Sequence, residues 1–146
     1  MRDIRRSVGA VAATLALALG PALPATGTAH ALSSRTFTWN KVMRAGDCTM
    51  FEGARWTLYS DGTATFDGTV TSGDDNDAWL MWAYLKDADN AVLGTLTNYR
   101  VQDPTDRNKF VKNLPSETQR YRWFASGRFD ARKFPLIRRM SLGKHC

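Results

Sequence analysis

His145 and Cys146 stand side by side, and they are the nearest thing in this chain to a nucleophile with its base. Thiolate chemistry needs the two groups spaced and turned toward each other, which adjacent residues do not easily achieve. A disulfide would consume the thiol altogether. Carboxylates offer a second chemistry. Glu52 and Asp67 lie near the most strongly patterned stretch of the chain, and such a pair, held at a defined separation across a cleft, runs glycoside hydrolysis. The run Gly73–Asp77, GDDND, places oxygen atoms at alternate positions, as a calcium ion requires. It lacks the Gly and Glu that complete a calcium loop, and the same residues are ordinary in a tight turn. There is no Gly-x-Ser-x-Gly elbow, phosphate loop or zinc-ligand spacing. No catalytic residue, metal or cofactor is assigned on this reading.

Non-covalent chemistry is better represented. Trp39, Trp56, Trp79, Trp82 and Trp123, with four tyrosines, make a heavy aromatic load for a small chain. Flat rings with polar neighbours bind sugar faces, apolar ligands or partner proteins, but small β-domains also fill their cores with them. Trp56, Phe66, Trp79 and Trp123 are expected in the core, and Trp82 and Tyr84 are the candidate ligand-binding pair. Charge is unevenly spread. Leu32–Asp106 carries six Lys/Arg against eleven Asp/Glu, a net of −5, whereas Arg107–Cys146 carries eleven against two, a net of +9. Within that basic third, Arg120, Arg122, Arg138 and Arg139 are candidate contacts for an anion, and pairing with the acidic first half is the alternative. No nucleic-acid module is recognisable, so no nucleic-acid partner is expected.

These residues need a scaffold, and the pattern of the chain describes one. Ala54–Ser72, ARWTLYSDGTATFDGTVTS, alternates as a β-hairpin rich in Thr, Val and aromatics. A two-residue loop at Asp61-Gly62 would scatter its aromatics over both faces. A three-residue loop, Ser60–Gly62, instead sets Trp56 opposite Phe66 and Leu58 opposite Ala64 on one face, with Arg55 opposite Asp67 on the other. It also puts Gly62 at the left-handed position such a loop requires. Thr36–Val42 reads as an earlier strand. Ala78–Thr97 reads as a second hairpin around Asp87–Asn90, with Leu85 facing Val92, Ala83 facing Gly94 and Met81 facing Leu96. Both of its faces are apolar, so it is covered twice or lines a cavity. A helix over Asp77–Lys86 is the competing reading. Asn98–Ser116 is irregular apart from a short strand at Phe110-Val111. Glu117–Ser126 is a third strand, with Tyr121, Trp123 and Ala125 on one face and Arg120, Arg122 and Phe124 on the other. Phe134–Met140 is a helical turn or a loop plug. The expected fold is all-β, a small antiparallel barrel or sandwich with a short C-terminal helical turn.

Residues 1–31 read as a secretory signal peptide: Arg2, Arg5 and Arg6 precede an apolar run, and Ala29-His30-Ala31 is an A-x-A cleavage site. Residues 32–146 are then a single secreted domain, expected to be a monomer with no membrane span. Cys48 and Cys146 are the two cysteines, and in an oxidising compartment one intramolecular disulfide is the simplest state, with free thiols or an intermolecular bridge as alternatives.

GDCTMFEGARWTLYSDGTATFDGTVTS, DDNDAWLMWAYLKD, FVKNLPS and YRWFASGRFD with FPLIRRMSLGKHC together resemble a family of small exported bacterial proteins catalogued as a domain of unknown function. The resemblance spans nearly all of Phe37–Cys146. It implies an exported single-domain β protein in which both cysteines are standard parts, and it brings no activity or ligand. The expectation is a non-enzymatic binding module recognising a glycan, a small apolar ligand or a secreted or cell-surface protein. A small hydrolase using a carboxylate pair, and an inhibitor or toxin-like protein, are the alternatives.

Overall fold

Burial decides the register of the central hairpin, and the computed structural model, which describes residues 31–146, shows it. Strands β4 (Ala54–Tyr59) and β5 (Thr63–Ser72) pair antiparallel with Arg55 opposite Asp67, Trp56 opposite Phe66, Thr57 opposite Thr65 and Leu58 opposite Ala64. This is the three-residue-loop register. Gly62 takes a φ of 87°, where a side chain would be strained. The Asp61 carboxylate accepts from the Thr63 N–H at 2.9 Å and from its hydroxyl at 2.7 Å, which holds the turn. The Trp56 and Phe66 rings lie 5.3 Å apart, both fully buried. The leader read over residues 1–31 falls, but for Ala31, outside the described residues.

The first sheet grows from this hairpin. β1 (Ser34–Trp39) lies along β4, while β3 (Cys48–Met50) pairs with the far end of β5 and carries β2 (Met43–Ala45) outside it. β1 starts two residues before and stops three residues before the strand read from sequence: its last bond brings the Gly53 N–H to the Trp39 carbonyl at 2.9 Å, and the chain then turns away. On the other side of β5 lies β10 (Tyr121–Arg128), followed by the two-residue β8 (Thr97–Asn98). Glu117–Arg120, expected in the third strand, is instead the turn before it.

The second sheet is centred on β6 (Asp77–Lys86), which is a strand and not a helix. β7 (Val92–Thr95) and β9 (Phe110–Leu114) share one side of it, and β11 (Arg139–His145) fills the other. The register expected for the second hairpin does not form. Leu85 faces Gly94, not Val92, and Met81 faces Phe110 of β9 rather than Leu96. An irregularity after Leu85 inserts one extra residue in β7. The turn is set by the Asp87 carboxylate, which accepts from the Asp89 and Ala91 N–H groups at 2.9 Å each, and by Asn90 at a φ of 69°. β11 is a strand, where the sequence reading placed no element beyond Phe134–Met140.

The sheets stack as a sandwich, with no closed barrel. Trp56, Leu58, Phe66, Val70 and Trp123 point inward from one sheet, and Trp79, Met81, Ala83, Leu85 and Phe110 from the other. Each Val, Leu, Met or Phe side chain among them contributes roughly 1.5–3 kcal/mol by leaving water. Trp56 meets Phe110 edge-on at 5.1 Å, so the aromatic cluster bridges the layers. A 3₁₀ turn (Ala131–Leu136) delivers Phe134, with Ile137 behind it, into the core. Arg35 stacks on the Phe134 ring at 4.8 Å and donates to the carbonyls of Phe134 and Ile137. The disulfide between Cys48 and Cys146, 98 residues apart, joins β3 of the first sheet to the residue after β11 of the second. The intramolecular bond is therefore the one formed, and the free-thiol alternative is set aside.

Candidate cleft between the two sheets

β10 pairs with β5 along the whole length of β10, but on its other side, among the described residues, it is paired only at Gly127 and Arg128, through β8. Among the described residues β9 in turn is paired only with β6. Between these two half-paired strands lies a cleft of about 650 Å³. Its chemistry comes from Tyr99, Arg100, Lys112, Arg122 and Phe124, with Gln102 across its floor.

Alternation on β10 turns Trp123 into the core and leaves Arg122 and Phe124 outside, so Phe124 is 68% exposed. Tyr99 and Arg100 are carried by residues 99–109, a segment of Asp, Asn, Thr and Pro that folds by capping itself. Asn98, nearly buried, anchors it: Nδ2 donates to Gln102 Oε1 at 2.8 Å and to the Lys109 carbonyl at 3.0 Å, and Oδ1 accepts from the Arg100 N–H at 3.0 Å. Asp103 accepts from the Thr105 N–H and hydroxyl and meets the Lys109 ammonium at 2.5 Å. The lysine contact, with the Thr105 bonds, holds the Asp103 carboxyl well below the ordinary carboxylate range, and the same contact raises Lys109. Gln102 finishes the floor. Its Oε1 accepts from the Val111 N–H and its Nε2 donates to the Val111 carbonyl, each at 2.9 Å.

The lining carries three cationic side chains and no carboxylate. Arg122 is partly neutralised by Asp67 at 2.5 Å, which Arg55 also reaches at 2.8 Å. Among the described residues Arg100 and Lys112 meet no carboxylate. Guanidinium groups also sit over both exposed rings: Arg128 lies 4.3 Å from Tyr99, and Arg122 lies 5.3 Å from Phe124. The cleft thus offers positive charge beside flat apolar surface, which suits an anionic ligand with some apolar area.

The residues singled out from the sequence are dispersed. Trp82 and Tyr84 are half-buried on the outer face of β6 and do not line the cleft. The Trp82 indole donates to Asp106 at 2.8 Å, and Tyr84 lies against Gly143, where a Cβ would come within 3.2 Å of its ring. Of the four arginines, Arg122 alone reaches the cleft. Arg120 stacks on Phe51 at 4.2 Å, Arg138 donates to the carbonyls of Pro135 and Ile137, and Arg139 pairs along β6 opposite Lys86. Pairing with the acidic first half is realised at Arg122–Asp67. Asp67 has both oxygens held by arginines, Glu52 sits in an exposed turn, and neither lines the cleft. In the acidic run, Asp75 accepts from the Glu117 N–H at 2.9 Å and Asp77 is bonded to the Ser72 hydroxyl. Asp77 also lies close to Cys48 and Cys146, but sulfurs bonded to each other are not thiolate ligands. Tyr99, Arg100 and Lys112 went unnoticed in the sequence because the irregular segment gives no periodicity.

A family of unknown function (DUF6294) matches residues 55–146, and the chain belongs to it. The matched region holds the whole cleft and Cys146, while Cys48 precedes it. No curated protein and no solved structure matches the chain.

Proposed function

We propose that this member of the family is an exported, non-enzymatic binding module that takes an anionic partner in the cleft between β9 and β10. The observation that carries the reading is the cleft lining: Arg100, Lys112 and Arg122 beside exposed Tyr99 and Phe124, with no carboxylate among them. Export is supported by the leader pattern of residues 1–31 and by the disulfide, a bond that persists in oxidising compartments. Among the described residues no helix is long and apolar enough to cross a membrane.

The test is a titration of the protein at low salt with short polyanions, an oligoglutamate and an oligogalacturonate, followed by calorimetry. Binding that weakens about tenfold in Lys112→Glu and in Arg100→Glu supports the reading. The control is Lys41→Glu, the same charge change at an exposed turn away from the cleft. Equal weakening by the control would reduce the effect to net charge and overturn the proposal.

A further inference from the structure

We infer that the occupant of this cleft is an extended acidic peptide segment of a partner protein, added as a strand to the open edge of β10. The inference rests on the cleft being the binding site.

The backbone carries it. The Ser126 carbonyl accepts from the Tyr99 N–H at 2.9 Å, so Ser126 presents its main-chain groups away from β5. In an antiparallel strand alternate residues present N–H and C=O to the same side. Arg122 and Phe124 therefore aim theirs the same way, into the cleft, and among the described residues no strand pairs with β10 there over Tyr121–Ala125. That stretch offers about 17 Å of ladder at 3.3–3.4 Å per residue. Across the cleft, Gln102 already does with a side-chain amide what a neighbouring strand would do for Val111. One wall of the site is thus satisfied by a strand surrogate, and the other stands open.

An unpaired edge invites any strand, so selectivity falls to the side chains along it. Arg100, Lys112 and Arg122 flank this one without a lining carboxylate, which favours acidic residues at alternate positions of the incoming segment. Exposed Phe124, on the same face of β10 as Arg122, offers its ring to the stems of those acidic side chains. The residues between turn to the face that carries Trp123 and Ala125.

The experiment uses a capped heptapeptide of alternating glutamate and valine, the same peptide N-methylated at alternate backbone nitrogens, and an oligogalacturonate of equal charge. Each is titrated into the oxidised protein and followed by amide NMR. The expected result is that the heptapeptide shifts the Arg122 and Phe124 amide signals and that N-methylation weakens it about tenfold. An N-methylated peptide that binds equally well overturns strand addition, as does an oligogalacturonate that binds where the heptapeptide does not. In either case the anionic-cleft reading survives. If none of the three binds, both fall together.

Discussion

The side-chain amide of Gln102 makes both main-chain hydrogen bonds of Val111, each at 2.9 Å. A primary amide has the donor and acceptor geometry of a peptide group, so it closes the edge of β9 without another strand. Gln102→Ala removes both bonds together and is expected to destabilise the protein by about 1–2 kcal/mol. The Val111 amide should then exchange with solvent much faster than its neighbours in β9. Unchanged exchange at Val111 would mean that the bonds are incidental.

The aromatic cluster should answer to volume. Trp56→Ala is expected to cost about 3–5 kcal/mol, because the ring fills space between the sheets that cannot collapse. The reverse error is available at Gly68, where a Cβ would lie 2.8 Å from Phe66 Cζ. Gly68→Ala should cost about 1–3 kcal/mol by displacing that ring. Urea unfolding monitored by tryptophan fluorescence measures both, and a Gly68→Ala protein as stable as wild type would refute the tight contact.

Asp103 supplies a pH dependence with a definite sign. Its carboxyl is held low, chiefly by the Lys109 hydrogen bond, so its contribution is present above the unfolded value near ~3.9 and is lost as pH falls through the lower folded value. Lys109, raised by the same contact, keeps its part until the pH climbs past its own elevated value. The segment carrying Tyr99 and Arg100 should therefore stay fastened from mild acid to mild alkali. Asp103→Asn is expected to lower Tm at pH 7, with the gap to wild type narrowing in strong acid; a constant gap would point to another cause.

Trp82 separates two surfaces. Trp82→Phe keeps an aromatic ring, though a smaller one, but loses the donor to Asp106, and is expected to cost about 1–2 kcal/mol and to loosen residues 99–109. Polyanion affinity should fall only as far as that loosening disturbs Tyr99 and Arg100. A large loss of affinity with unchanged Tm and unchanged amide exchange would move the contact site to the outer face of β6.

What the sequence disclosed follows from how local each signal is. The register of β4 and β5 was legible because a slip by one residue would turn Trp56 and Phe66 to opposite faces. The β6–β7 register was not, since one extra residue in β7 undoes a count that assumes regular pairing. β11 was missed because its alternation stops after Met140 and Leu142, too short a signal by itself; it is a strand because β6 offers it an edge. The outward face of Arg122 and Phe124 could be read directly. The cleft they border could not, because its walls, β9 and β10, follow one another in sequence yet belong to different sheets, and nothing local announces the gap between them.

The link between Cys48 and Cys146 turns nearly the whole body into a covalent ring. A protease that nicks the exposed residues 99–109 would open that ring without releasing a fragment, and the product would migrate as one species until a reductant is added. A single backbone cut there would therefore leave both pieces joined through the two sulfurs.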